Sequence, residues 1–241
     1  MPDNRSHRGP HPEDEQLFAP AALPTLREAG ADLAWLLTRG YSLDAALELV
    51  GNRFQLRRRQ RTALMRSVAS DQALASRRAR ELAPDEVSGR HLWVDGFNLV
   101  MTLESALSGA IVLVGRDGCA RDLASVHGSY RKVEETAPAI ALAGDVLAPL
   151  APAQVTWLLD APVSNSGRLK TMLREHAEAR GLPWEIALEP HVDATLKTKR
   201  QDGVVTADGV ILDACCAWFD LARHCVARLS DPWVVAFFGA P

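Results

Sequence analysis

The sequence predicts a three-layer α/β/α protein with a mainly parallel sheet, preceded by a small all-α domain. Three observations carry this expectation. After residue 90, six short apolar runs alternate with amphipathic stretches, the pattern of a parallel sheet covered by helices on both faces. Before residue 83, helical periodicity is found and strand alternation is not. Between the two lies Ala83 to Arg90 (APDEVSGR), whose Pro, Gly and polar residues read as a linker.

Residues 1–22 carry Pro, His and clustered charge without periodicity, and are expected to form a disordered arm. Residues 23–82 read as a helical, helix-turn-helix-like, Arg-rich domain. In its first helix Leu33, Leu36 and Leu37 share a face, and Gly40 marks the stop. A second helix fits Ser42 to Val50, capped by the Ser42 hydroxyl. A third is expected from Leu56 to about Arg80, with Leu64 and Val68 facing inward. Residues 91–241 form the α/β domain. Its expected strands are His91 to Val94, Ala110 to Val114, Val155 to Leu159, Glu185 to Leu188, Gly203 to Thr206 and Val234 to Phe237. Helices fit Leu99 to Leu107, Glu135 to Leu147, Gly167 to Arg180 and Gly209 to Leu229.

Composition excludes several classes. The 241 residues are 47% hydrophobic, enough for a sizeable core, and contain no apolar run long enough to span a bilayer. The opening MPDNRSHRGPHPEDEQ is polar, without the apolar stretch of a secretory signal, so a cytoplasmic protein with no membrane partner is expected. Cys119, Cys215, Cys216 and Cys225 have no CxxC spacing and read as small buried residues. No Gly-rich phosphate loop and no GxGxxG is present, which argues against nucleotide-cofactor chemistry. Self-association is left open.

Charge is unevenly spread. Residues 1–90 hold 14 arginines against 12 acids, and residues 91–241 hold 13 basic against 18 acidic residues. Between positions 53 and 80, Arg53, Arg57, Arg58, Arg59, Arg61, Arg66, Arg77, Arg78 and Arg80 face only Asp71. Such a run is the footprint of phosphate binding, so RNA or another nucleic acid is the expected partner. A solvated helix face in an Arg-preferring sequence would look the same.

The chemistry is expected at the strand ends. Asp95 follows the strand HLWV, Asp160 follows VTWLL, and Asp208 comes two residues after GVVT. In a parallel sheet these ends share one edge, where ligands bind. Carboxylates about 5 Å apart would repel by roughly 3 kcal/mol each pair at an effective dielectric of 20. A divalent cation relieves that repulsion, and hard oxygen ligands suit Mg²⁺ or Mn²⁺ completed by water and substrate phosphate. The matching reaction is metal-assisted phosphodiester hydrolysis. Taken singly, each acid also has a local role, with Asp208 as a helix cap, Asp95 in an Asp-Gly turn and Asp160 capping the turn into APVSNSG.

Supporting residues follow from position. Asn98 could bond Asp95 or a phosphate, or cap the next helix. Glu104 could supply a fourth carboxylate, or face solvent. Asp213 lies five residues past Asp208, about 140° around an ideal helix, so the two share a face only if Asp208 is outside it. Thr206, Ser164 and Ser166 read as caps in preference to phosphate contacts. In the aperiodic stretch Gly115 to Lys132, His127, Tyr130 and Arg131 could contact a nucleotide. An Asp-nucleophile phosphatase is disfavoured, because Phe97 occupies the position of its second Asp.

DGFN, LLDAPVS and VTADGVILD together resemble the PIN-like nuclease superfamily, in particular its NYN branch. With RGYSLDAALELVGNRFQLRRRQRTALMR in front, the chain over Leu23 to Phe238 resembles the family called domain of unknown function 434, which pairs a helical domain with a PIN-like one. The resemblance implies metal-dependent RNA cleavage, with Asp95, Asp160 and Asp208 at the acidic positions and Asn98 as the NYN asparagine. It matches the remaining acid only loosely, to Glu104 or Asp122. Such families also contain inactive members, so a catalytically silent nucleic-acid-binding or regulatory protein is the alternative.

Overall fold

In the computed structural model, the described residues are 7–124, 130–199 and 202–238. The first half is helical, with α1 (Asp14–Leu17), α2 (Leu23–Thr38), α3 (Leu43–Arg53), α4 (Arg58–Ser67) and α5 (Asp71–Arg78). Ser42 caps α3 by accepting from the Ala45 amide at 3.4 Å. Gly40 closes α2 at φ +84°, a conformation that favours glycine.

Two expectations fail here, the first for a local reason and the second through tertiary contacts. The third helix is not continuous: Val68 is extended, and Ser70 starts α5 by accepting from the Ala73 amide at 3.1 Å. A β-branched residue followed two positions on by a strong cap favours a new helix over a continued one. The segment expected to be a disordered arm is instead tied to the rest of the chain, by the Arg8 bond to Glu104 and by burial of Asp14, Leu17 and Phe18. Leu17 and Phe18 join the core of α2 and α4, and the fully buried Asp14 is bonded by Arg59.

The second half contains, in chain order, β1 (His91–Asp95), α6 (Gly96–Leu107), β2 (Val112–Val114), β3 (Ala120–Asp122), α7 (Thr136–Leu147), β4 (Gln154–Asp160), α8 (Ser166–Arg180), β5 (Trp184–Glu189), α9 (Val192–Lys197), β6 (Gly203–Val205), α10 (Gly209–Leu212), β7 (Trp218–Phe219), α11 (Leu221–Val226) and β8 (Val234–Ala236). The main sheet runs β5-β4-β1-β6-β7 with every pairing parallel. Alternating side chains sort to its two faces. Val94, Val155, Trp157 and Val205 pack with α6, α7, α8 and α11, whereas Leu158, Val204 and Trp218 pack with α9 and α10.

The expected long helix from Gly209 to Leu229 is replaced by α10, β7 and α11. Asp208 caps α10 and Asp220 caps α11, and the apolar pair Trp218-Phe219 between them extends the sheet beside β6. Two expected strands also leave the main sheet. β2 and β8 pair in parallel and β3 pairs antiparallel to β2, forming a second sheet of three strands.

That second sheet joins the two halves. Ile111, Leu113, Leu123, Val235 and Phe237 share one buried cluster with Leu26, Leu33 and Leu64 of the helices. The expected linker is likewise packed, with a 3-10 turn at Pro84–Val87, Val87 fully buried, and the Leu82 amide bonded to Trp218 O at 2.8 Å. No described helix is long and apolar enough to cross a membrane.

Candidate active site

Where β1 meets α6, the chain turns without a spacer. A Cβ on Gly96 would lie 2.9 Å from Leu158 O and 2.5 Å from Leu159 Cδ2, so only glycine lets α6 start against β4. Asp95 is thereby fixed as the N-cap of α6, and it is 7% exposed. It borders a cleft of about 790 Å³ between the ends of β1 and β6 and the helices of the first half. Asn98, Thr102, Asp122, Asp208 and Asp213 also line this cleft, which is within the usual size range for a small-ligand site.

Thr206 links the Asp95 carboxylate to the backbone of Asp208. Its hydroxyl donates to Asp95 Oδ2 at 2.9 Å and accepts from the Asp208 amide at 3.1 Å. Asp208 caps α10, its Oδ1 accepting from the Val210 and Ile211 amides at 2.7 and 3.2 Å. Asn98 Oδ1 accepts from the Ala207 amide at 3.1 Å, which leaves an amino group whose donors suit a phosphate oxygen. Burial pushes Asp95 up to about 7 against the Thr206 hydrogen bond, and the Asp208 charge adds to it, with Asp160 contributing least.

The expected acids are distributed unequally. Asp95 pairs with Leu158 in the sheet register, so Asp160 projects two residues beyond it, half-buried, and is not among the cleft-lining residues. Burial raises the Asp160 pKa, and so does Asp193 of α9. Glu104 lies elsewhere: it is fully buried, accepts from Tyr130 Oη and from Thr136 Oγ1 at 2.5 Å, and is held by Arg8 Nε at 2.7 Å. That is an internal network, so Asp122 is the acid present in the cleft, bonded by Thr102 Oγ1 at 3.1 Å. Asp208 stands outside α10 proper, and so it and Asp213 both line the cleft.

Several arginines of the expected phosphate footprint are internal staples. Arg59 holds Asp14, Arg61 bonds Leu56 O and Asn52 Oδ1 at 3.0 and 2.9 Å, and Arg66 bonds Asp122. Arg77 bonds Asp117 and Asp213, and Arg80 bonds Cys215 O. Arg53, Arg57, Arg58 and Arg131 remain at the surface, with Arg53 3.7 Å from Asp32. Tyr130 is buried against Phe97, with ring centroids 5.1 Å apart, and does not present a stacking face. His127 lies outside the described residues.

Sequence reading did not single out the pair Asp117 and Arg121 as part of the site. Arg121 grips both Asp117 oxygens at 2.7 Å. Burial alone would raise the Asp117 pKa, but the guanidiniums of Arg121 and Arg77 hold it well below the usual carboxylate range. The four-residue spacing in RDGCARD was the available signal.

The donor set suits a hard cation that keeps much of its water. Mg²⁺ commonly takes one or two carboxylates plus substrate oxygens, and Asp95 with Asp208 offers two. Among the described residues, no group of three or more His, Cys, Asp and Glu side chains is arranged to enclose a metal ion.

Comparison with known proteins follows the same division of the chain. The family described as Domain of unknown function (DUF5616) matches residues 84–224. The family described as Protein of unknown function (DUF434) matches residues 25–80. The chain is 30% identical over 188 residues to the uncharacterized protein MJ0935 of Methanocaldococcus jannaschii, covering 78% of this chain and 89% of that protein. No solved structure matches it.

Proposed function

From the premise that the chain belongs to the family described as Domain of unknown function (DUF5616), we propose that it is a Mg²⁺- or Mn²⁺-dependent ribonuclease with a PIN-like α/β domain. The observation that carries this reading is the Asp95 and Asp208 pair, linked through Thr206 from carboxylate to backbone at the end of a parallel sheet and open to a cleft. Asp95 and Asp208 would hold the cation, and Asp122, paired with Arg66, also lines the cleft. When bound, the cation offsets charge on the reacting phosphate and makes water a better nucleophile.

The chain's own groups supply the rest. Thr206 fixes the Asp95 carboxylate by donating to Oδ2, and Asn98, oriented by the Ala207 amide, offers its amino group to a phosphate oxygen. Surface Arg53, Arg57 and Arg58 attract the RNA backbone electrostatically. The PIN-like assignment is supported by the strand-end placement of Asp95 and Asp208 and by helices on both sheet faces.

The test is incubation of the full chain with labelled single-stranded RNA and Mn²⁺. Cleavage is expected, and it should fall by at least about 100-fold in Asp95→Asn. Undiminished cleavage by Asp95→Asn sinks the site assignment. RNA binding without cleavage, lost when Arg57 and Arg58 are changed to Ala, favours the silent-binder alternative.

A further inference from the structure

The peptide carbonyls on either side of Asp208 are each held by a buried guanidinium. Ala207 O accepts from Arg121 Nε at 2.6 Å, and Gly209 O accepts from Arg77 Nη2 at 3.2 Å. The two arginines share Asp117, which Arg77 Nη1 reaches at 2.5 Å. Arg77 Nε also holds Asp213 at 2.7 Å. Three donor directions of one planar fork therefore bind two segments of the second half, the loop that carries Asp117 and both ends of α10 at Gly209 and Asp213. Yet Arg77 belongs to α5 of the helical half, and its own carbonyl accepts from Trp218 Nε1 at 2.8 Å.

This bracing matters because α10 is only four residues long. So short a helix has little hydrogen bonding of its own, and the direction of its capping residue depends on contacts from outside. Burial makes the contact specific: the Arg77 side chain is 8% exposed and Asp117 1%, so the ion is retained only with its partners in place. Gly209 fits the same arrangement, since a Cβ there would stand 3.0 Å from Arg77 Nη2.

We infer that Arg77 is a positioning residue for the acidic site, through which the helical half fixes the loop that sets Asp208 beside Asp95. This rests on the nuclease reading for what Asp208 does, but the bracing itself can be measured without it.

The experiment uses the full chain with Arg77→Met, Arg77→Lys and, as a control for general loosening, Asp14→Ala, which breaks a buried pair within the helical half. RNA cleavage in Mn²⁺ should show kcat lower by roughly 10- to 100-fold in Arg77→Met with KM nearly unchanged, the range typical of groups that orient ligands. Arg77→Lys should recover part of kcat, and Asp14→Ala should leave it near the parent value. Hydrogen exchange should quicken at the Val210 and Ile211 amides in Arg77→Met and not in Asp14→Ala. A kcat in Arg77→Met equal to the parent's, or lowered no more than in Asp14→Ala, overturns the inference. If the parent cleaves no RNA, the nuclease reading falls by itself, and unchanged exchange at Val210 and Ile211 then overturns the bracing while faster exchange upholds it.

Discussion

Replacing Asp95 by Asn should stabilise the protein at alkaline pH, the opposite of what a substitution at a buried hydrogen-bonded site usually does. Burial raises the folded-state pKa from 3.8 to about 7, with the Asp208 charge adding to it. The folded protein therefore binds the proton more tightly than the unfolded chain, and stability present at pH 4 is lost as pH rises through 7. At about 1.4 kcal/mol per pH unit, that loss amounts to about 4 kcal/mol between pH 4 and pH 8. Asn keeps the shape and one acceptor, for Thr206 or for the Asn98 amide but not for both, and carries no charge, so it escapes the pH-dependent loss. For a chain of this length the advantage at pH 8 corresponds to ~8–16 °C in Tm. Urea denaturation of both proteins in chelator at pH 5 and pH 8 measures it. Parallel pH dependences of parent and variant would refute the reasoning, because they would mean that Asp95 ionises in the folded protein as easily as in the unfolded chain. Adding Mg²⁺ at ten times its Kd should return about 1.4 kcal/mol to the parent at pH 8 and nothing to Asp95→Asn.

Other expectations are as direct. Thr206→Val removes the donor that partly offsets the burial of Asp95, so the Asp95 carboxyl should titrate above about 7 in a ¹³C NMR experiment; a lower value contradicts the hydrogen-bond assignment. Arg8→Ala strips the buried Glu104 of its cation and should cost about 3–5 kcal/mol at pH 8. Because burial already raises the Glu104 pKa, that cost should shrink toward pH 5 as the carboxyl takes up a proton, and a pH-independent cost in urea denaturation argues against it. Gly96→Ala forces a methyl group against Leu158 O and Leu159, and should lower stability by about 1–3 kcal/mol by thermal denaturation.

Much of the fold was legible because its signals are local. The expected strands from His91, Val155, Glu185 and Gly203 and the helices ending at Leu107, Leu147 and Arg180 correspond to observed elements with small shifts at their ends. Periodicity reads such segments directly. What it could not read was assignment to sheets. Ala110 to Val114 and Val234 to Phe237 look like strands of the main sheet, but they pair with each other and face the helices, a choice settled by contacts more than a hundred residues apart. The break of the last long helix was hidden for a similar reason, since Trp218 becomes a strand residue only because β6 is there to receive it. At the site, Asp95 and Asp208 were visible as strand-end acids. Thr206 was read as a cap, whereas its hydroxyl joins the Asp95 carboxylate to the Asp208 backbone, a role that follows from three-dimensional pairing and leaves no mark in spacing.

The arginines show how far residue counting can carry and where it stops. A run of nine arginines against one aspartate between positions 53 and 80 implies an exposed positive stripe, if each side chain is free. A guanidinium is also the side chain best suited to bind carboxylates and carbonyls in a buried interface, because its planar fork satisfies several acceptors at once. Which use prevails depends on whether acceptors from another part of the chain lie within reach. Here Arg66 and Arg77 meet Asp122, Asp117 and Asp213, which account for part of the acidic excess noted in the second half. The opposite charge balances of the two halves are thus partly a record of their mutual contact. The arginines left at the surface for the proposed phosphate contacts include Arg53, Arg57 and Arg58, while Arg77 of the helical half is engaged with Gly209 O, Asp117 and Asp213.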